Sequence, residues 1–247
     1  MSSNPQGLPE RTFYHKALPV LNKLLHGSAP FISTFLLIHL SAPALANLGG
    51  SSIASSTLLL GREYYQTEFG EKYLVLAPIA VHALSGIVKR VLSPAKTPPR
   101  PWRSLLSLTG FANIIFFLPH FMTHRAHPMN PAPPIFAVGP SELDFEFVKY
   151  GLSNWPWRSW LLYGGLVASV VLHAVDGERL IFNTYFGETM GRIKAAARKN
   201  LLTIGVGLVA VPVLTGVFVM SREPLMVLPS TAERFHASFT LSPLFRT

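Results

Sequence analysis

The chain has 247 residues, of which 49% are hydrophobic and only 13% are charged. Soluble domains carry about 25% charged residues, so too few remain here to coat a water-soluble fold of this length. The absence of cysteine excludes disulfides, thiolate metal sites and cysteine nucleophiles, and the net charge of +9 comes without the basic and aromatic pattern of a nucleic-acid-binding surface.

Five apolar stretches predict five transmembrane helices in an all-α integral membrane protein. They cover about residues 29–48, 73–88, 104–122, 159–175 and 201–220. Each approaches the ~20 residues that cross a ~30 Å hydrocarbon core. The alternative, five helices buried in a soluble domain, requires more charged surface than the chain has. The predicted parts are a cytosolic or interfacial N-terminal segment (1–27), a membrane domain (28–220) and an interfacial C-terminal tail (221–247).

Basic residues are distributed unevenly between the two ends of the spans. Thirteen of the 21 Lys and Arg lie before span one, between spans two and three, or between spans four and five. The positive-inside rule therefore predicts a cytosolic N-terminus and a C-terminus across the membrane. The first residues contain no apolar stretch, so we expect no cleaved signal peptide.

The connection between spans three and four, residues 123–158, is long and polar. HPMNPAPP predicts an extended, proline-rich segment. SELD (141–144) matches a capping box and predicts the start of a short helix. His124 and His127 lie in this connection, and we expect water to surround them.

The first four spans contain an internal repeat. Aligning SAPFISTFLLIHL (28–40) with TGFANIIFFLPHF (109–121) superposes His39 on His120. The next span after each carries His-Ala-x-x-Gly, in VHALSGIVKR (81–90) and in LHAVDGER (172–179). The repeat predicts two equivalent helical hairpins, spans one–two and three–four, which form a four-helix bundle with span five added.

The repeated histidines, His82 and His173, are candidate axial ligands of one b-type haem. Ionisable residues in membrane spans usually face the bundle interior, and two equivalent imidazoles could bind one haem iron from both faces. Gly86 and Gly177 lie one turn further on the same helix faces, where the edge of a macrocycle could approach the backbone. Three cations towards the membrane edge could pair with the haem propionates: Lys89, Arg90 and Arg179.

Each of these histidines also has a simpler interpretation, a hydrogen bond to a neighbouring helix. We prefer that interpretation for His39 and His120, which remain second candidates for cofactor binding. For His82 and His173 the duplicated context favours haem slightly. Zinc is disfavoured, because two histidines leave half of a tetrahedral site unfilled.

The chain resembles two families. A histidine followed by glycine and arginine on the second span of a hairpin resembles the membrane-anchor subunits of succinate dehydrogenase and fumarate reductase, in which two hairpins supply the two ligands of a b haem. A longer resemblance covers ISTFLLIHLSAPALANL, LLLGREYYQTEFGEKYLVLAPIAVHALSGIVKRVL and HAVDG. These segments are similar to the fungal mitochondrial outer-membrane adaptor family named Mdm-ten complementing protein one.

The second resemblance implies a multi-pass protein of the mitochondrial outer membrane that acts in lipid homeostasis. Members recruit a bridge-like, VPS-thirteen-type lipid-transfer protein to membrane contact sites through a Pro-x-Pro segment. In this sequence the candidate on the predicted cytosolic side is formed by Pro99 and Pro101, while Pro131 and Pro133 lie on the other side. Prolines that only end helices are the simpler interpretation of both segments.

Two functions therefore remain open. The first is a non-enzymatic membrane adaptor in lipid homeostasis with a bound haem, and the alternative is a membrane b-type cytochrome that exchanges electrons with a quinone or another redox partner. For the alternative, Ser85 and Tyr163 are the polar groups available within the spans. The sequence has no flavin or nucleotide fingerprint, and a channel or scramblase would need a ring of charges that the spans lack.

Overall fold

The computed structural model describes residues 9–93 and 101–246, and this part of the chain is helical, without a β-strand. Five of its helices are long and apolar enough to cross a membrane, which confirms the prediction of an all-α protein with five candidate spans. The residues group into two units. Unit 1 consists of two segments, the chain up to Leu36 and Tyr65–Trp102. Unit 2 also consists of two segments, Leu37–Tyr64 and the chain from Arg103 onward.

The described residues form eight α-helices. They are α1 (Pro9–Tyr65), α2 (Ala77–Val91), α3 (Leu105–Phe121), α4 (Phe145–Asn154), α5 (Pro156–Tyr185), α6 (Arg198–Gly205), α7 (Val211–Ser221) and α8 (Pro229–Thr240). Wider, π-helical turns at Gly70–Leu76, Met122–Ala126 and Val206–Ala210 lead into α2, extend α3 and join α6 to α7. The five candidate spans are Lys16–Tyr65, Gly70–Val91, Leu105–Met129, Pro156–Tyr185 and Ala195–Ser221.

Each apolar stretch predicted from the sequence falls within one of these spans, to within one residue. In the fourth span the helix continues ten residues beyond the predicted end, to Tyr185. The predicted span ends at residue 175 because the charged Asp176 interrupts the apolar stretch. In the fold Arg198 neutralises that carboxylate, with Nε donating to Oδ1 at 2.7 Å and Nη2 to Oδ2 at 2.8 Å. An ion pair across helices therefore lets the span continue past its acid.

The outward faces of the spans are apolar. Leu37, Leu60, Ile115, Leu161 and Leu208 each leave about two thirds or more of their surface exposed. Soluble monomers rarely expose large contiguous apolar patches. These faces suit contact with hydrocarbon, in agreement with a multi-pass membrane protein. The pairing of the spans into two equivalent hairpins of one four-helix bundle remains a prediction.

Helix α1 is interrupted at Gly49 and Gly50, immediately after the predicted end of span one. Gly50 has φ 63° and ψ −156°, a conformation that is open almost only to glycine. The helix resumes at Ser51, whose backbone N–H donates to Glu223 Oε1 at 3.0 Å and whose hydroxyl donates to Oε2 at 2.5 Å. Glu223, from the segment after α7, thus caps the second part of α1.

A buried lysine completes this cap, which we name the Glu223 clasp (Ser51, Glu146, Lys149 and Glu223). The Lys149 side chain is 4% exposed, and its Nζ lies 2.6 Å from Glu146 Oε1 and 3.4 Å from Glu223 Oε2. Burial opposes ionisation of Glu223, but the hydrogen bonds from Ser51 and the charge of Lys149 lower its pKa below the usual value. The clasp therefore holds a paired, rather than an isolated, buried cation.

The polar connection and the C-terminal tail pack together outside the five spans. Residues of α4, of the joint between α4 and α5, of α8 and of the turn Pro243–Phe245 form a core that we name the aromatic cap: Phe147, Tyr150, Trp155, Phe235, Phe239 and Phe245. The ring of Phe147 stacks on Phe239 with centroids 4.4 Å apart. The short helix expected after SELD is present as α4, but its N-cap is Asp144, whose carboxylate accepts from Glu146 N at 2.8 Å.

Span five packs on span one by direct backbone contact. A Cβ placed on Gly216 would collide with the carbonyl oxygen of Pro43. Close by, Asn47 Nδ2 donates to Pro212 O at 2.7 Å. Small residues that allow such close approach, together with interhelical hydrogen bonds, are the usual determinants of helix association in membranes.

We expect Gly216→Ala to separate these helices and to destabilise the fold by about 1–3 kcal/mol, the usual cost of overpacking. Gly207→Ala, in the same span, is the matched control, because a Cβ at Gly207 meets no atom within 4 Å. Thermal unfolding in detergent, followed by the fluorescence of the four tryptophans, measures both. Equal melting temperatures for the two variants would contradict the contact.

Candidate histidine sites in the membrane spans

His82 lies on α2, within unit 1, and its ring is hydrogen-bonded to α1. Its Nδ1 lies 3.1 Å from Leu25 O and 3.2 Å from Ser28 Oγ, and the Ser28 hydroxyl itself donates to Leu25 O at 3.0 Å. A carbonyl oxygen can only accept, so Nδ1 carries the proton of the neutral ring. The lone pair of the imidazole is therefore on Nε2, the atom that binds a metal when Nδ1 is held in this way.

His173 lies on α5, within unit 2, and makes the corresponding contact with α3. Its Nδ1 lies 3.3 Å from Thr109 Oγ1, and the Thr109 hydroxyl donates to Leu105 O at 2.7 Å. Because that proton is committed to the carbonyl, the hydroxyl oxygen accepts from Nδ1–H. His173 therefore has the same tautomer as His82.

The two contacts follow the internal repeat. Ser28 and Thr109 are the first residues of the two segments whose alignment superposes His39 on His120. A leucine three residues before each hydroxyl is also equivalent. A Cβ built on Gly86 meets Leu25 Cδ2 at 3.8 Å, and one built on Gly177 meets Leu106 Cδ1 at 4.0 Å. Each unit thus contains one copy of a hydroxyl–imidazole and leucine–glycine arrangement.

The two glycines are not required by helix packing. Contacts of 3.8 and 4.0 Å are ordinary van der Waals distances, so alanine would fit at Gly86 and at Gly177 without displacing a neighbour. The predicted role of these glycines, room for the edge of a flat cofactor beside the histidine, stays a prediction. The tautomer of each histidine leaves Nε2 as the donor atom, as the axial ligand of a b-type haem requires.

The predicted propionate partners in unit 1 already contact protein groups. Lys89 Nζ donates to Asn22 Oδ1 at 2.6 Å. The Arg90 guanidinium lies 3.8 Å from the ring centre of Trp102, a cation–π contact. Both cations thus lie at the end of α2, where they are held in place near the predicted membrane edge.

The remaining predicted site residues are Arg179 and the two prolines. Arg179 lies on α5, with Nη2 3.4 Å from Asp176 Oδ1. Pro99 lies outside the described residues. Pro101 lies inside them and is exposed.

The second pair of candidates meets within unit 2. The rings of His39 and His120 have centroids 6.1 Å apart at an interplanar angle of 80°. His120 lies 4.6 Å from the ring of His124, and His124 Nε2 is 3.1 Å from the hydroxyl oxygen of Tyr163. These four side chains form a continuous polar row across α1, α3 and α5, which we name the histidine row.

The expectation that water surrounds His124 is wrong. Met122–Ala126 continues α3 as a wider helical turn, and the His124 ring packs edge-on against Phe147 and Phe239 of the aromatic cap, at 5.5 and 6.3 Å. The sequence contained one signal for this position, the spacing of four residues between His120 and His124, which places both on one helix face. The aromatic residues that cover the ring come from distant parts of the chain.

A small cavity of about 10 Å³ lies beside the row. Its lining includes His120, Thr123, His124 and Tyr163, and Thr123 Oγ1 is buried without a hydrogen-bond partner in the described residues. Such a volume suits one water molecule with polar partners and is too small for a quinone ring. No group of three or more His, Asp or Glu in the part of the chain that the structure describes is arranged to hold a metal ion.

Comparison of the chain with protein-family models, with curated proteins and with solved structures gives no match. The family resemblance therefore remains an expectation that rests on the quoted segments.

Proposed function

We propose that the chain is a multi-pass adaptor protein of the mitochondrial outer membrane, active in lipid homeostasis at membrane contact sites, with one b-type haem ligated by His82 and His173. The observation that supports the haem is the duplicated contact in which a hydroxyl of the preceding span lies against Nδ1 of each imidazole. The adaptor role is supported by the resemblance of the quoted segments and by the five candidate spans.

In this proposal each residue of the candidate haem site has a separate role. His82 and His173 would hold the iron through Nε2, while Ser28 and Thr109 are positioning residues that contact Nδ1 and orient the rings. Gly86 and Gly177 keep the helix faces beside the histidines free of side chains of their own, with a leucine at van der Waals distance from each. Lys89 and Arg90 stand where propionates would reach the membrane edge. When bound, the haem supplies one-electron redox chemistry and an optical signal.

We expect purified wild-type protein to show the Soret and α bands of a low-spin, six-coordinate haem. His82→Ala and His173→Ala should lose this spectrum because each removes one ligand. Thr109→Val should keep both ligands but bind added haemin about 10- to 100-fold more weakly, the usual effect of losing a hydrogen bond to a ligating histidine. Ser28→Ala should weaken binding less, because Leu25 O still accepts from His82 Nδ1. Absorption spectra and haemin titration measure these effects.

His236→Ala is the matched control, because His236 lies outside the five spans and stacks on Trp155 of the aromatic cap. It should leave the spectrum unchanged. A colourless, well-folded wild-type protein from haem-replete cells would refute haem binding.

Electron transfer to a quinone separates the adaptor from the alternative cytochrome. We expect slow and unselective reoxidation of dithionite-reduced protein by a quinone analogue, because the small cavity beside Tyr163 holds about a single water molecule. Stopped-flow absorbance at the α band measures the rate. Rapid, saturable reoxidation would favour the cytochrome instead.

We expect a Pro99→Ala, Pro101→Ala double variant to abolish recruitment of the VPS-thirteen-type partner to mitochondria. A Pro-x-Pro segment is extended before binding, so it docks at low entropic cost, and alanines remove this preorganisation. Fluorescence microscopy of the labelled partner measures localisation. The matched control is Pro131→Ala with Pro133→Ala, in the connection predicted on the other side of the membrane. Unchanged localisation in the first variant would discard the 99–101 segment as the recruiting motif.

A further inference from the structure

The end of α5 and the segment that follows it form an open recess of about 470 Å³ within unit 2. Its lining is Arg179, Leu180, Asn183, Thr184 and Arg192. Two of these five side chains are cations, two are neutral polar groups, and no carboxylate is among them. This composition points to an anionic ligand.

The recess is built by a chain reversal that is held by side-chain hydrogen bonds. Asn183 Nδ2 donates to Ile193 O at 3.0 Å, and Ile193 N donates to Asn183 Oδ1 at 2.8 Å. A Cβ on Gly187 would collide with Asn183 O and with Arg192 Cγ, at 2.6 and 2.7 Å. The stem of Arg192 therefore packs across Gly187, and the returning segment holds this arginine beside α5.

Arg179 is incompletely neutralised by its protein neighbours. Both oxygens of Asp176 accept short hydrogen bonds from Arg198, at 2.7 and 2.8 Å, whereas the contact of Arg179 with the same carboxylate is 3.4 Å long. In addition, Arg179 Nε is buried and has no hydrogen-bond partner in the part of the chain that the structure describes. A buried N–H without an acceptor is costly, so the Arg179 guanidinium is only partly satisfied by protein groups.

Exposed apolar side chains lie close in sequence to the lining of the recess. Tyr185, at the end of span four, and Phe186 and Met190, in the segment that follows, leave 53%, 50% and 71% of their surface exposed. Amphipathic and aromatic side chains at the end of a span are typical of the membrane–water interface. The recess therefore opens where phospholipid headgroups lie.

We propose that this recess binds the phosphate of an anionic phospholipid. Two guanidinium groups can share the oxygens of one phosphate, Asn183 and Thr184 lie beside them, and the exposed apolar side chains can contact the glycerol and acyl region. Basic recesses at span ends bind such headgroups in other membrane proteins. In this assignment Arg179 holds a lipid phosphate, not the haem propionate expected from the sequence, and the site does not rest on the haem proposal.

The test uses the full chain in detergent micelles, titrated at constant ionic strength with dioctanoyl phosphatidylinositol, dioctanoyl phosphatidylcholine or inorganic phosphate. Native mass spectrometry counts bound lipid, and thermal unfolding reports the stabilisation. We expect one phosphatidylinositol per chain, and about tenfold weaker binding in Arg179→Gln and in Arg192→Gln, because each loses charge-assisted hydrogen bonds. Because Arg192 is exposed, we expect Arg192→Gln to fold, and this variant tests the proposal if Arg179→Gln is unstable.

Two control variants each remove one positive charge from a residue outside the recess. Lys194→Gln changes an exposed cation of the same segment that does not line the recess, and Arg222→Gln changes an exposed arginine beyond the end of span five. Both should bind phosphatidylinositol as the wild type does. Equal binding of phosphatidylcholine, or equal losses in the controls, would overturn the proposal. Inorganic phosphate that binds as tightly as the lipid would overturn the lipid assignment and leave a site for soluble phosphate.

Discussion

A polar group inside a membrane span has no water to bond with, so its partner must come from a neighbouring helix or from its own backbone. The contacts of this chain follow that constraint. Ser28 and Thr109 each return a proton to their own helix and accept one from a histidine of the following span. Asn47 bridges to the backbone of span five. Each contact therefore has two effects. It fixes the tautomer or the rotamer of a side chain, and it fixes the register between two helices.

The same constraint connects structure to chemistry. A histidine whose Nδ1–H is already committed presents its lone pair at a defined ring position, so the hydrogen bond that stabilises the fold also prepares a ligand. The histidine row is different, because its rings contact one another and Tyr163 beneath the aromatic cap. The chain thus uses imidazoles in two ways: singly, each held by one hydroxyl, and as a packed group beside a water-sized space.

The sequence predicts what depends on local pattern. Apolarity and length locate all five spans. The aligned repeat brings Ser28 and Thr109 to equivalent positions, although only the histidines and glycines of the repeat are recognisable from the sequence as candidate site residues. Contacts between residues that are far apart in the chain cannot be predicted from local sequence pattern. The extension of α5 past Asp176 depends on Arg198, and the burial of His124 depends on Phe147 and Phe239. The tail likewise acquires its packing only because its aromatic rings meet those of α4.

The Glu223 clasp has a consequence for the order of assembly. The segment of α1 that begins at Ser51 is capped by a carboxylate that lies 172 residues later in the chain. Proteins are synthesised from the N-terminus, and early segments begin to fold before later ones exist. During synthesis the turn at Gly49 and Gly50 therefore has no cap until the segment after α7 has been made. Helix α1 is made well before the carboxylate that caps its second part, and it acquires its final geometry only when the clasp closes.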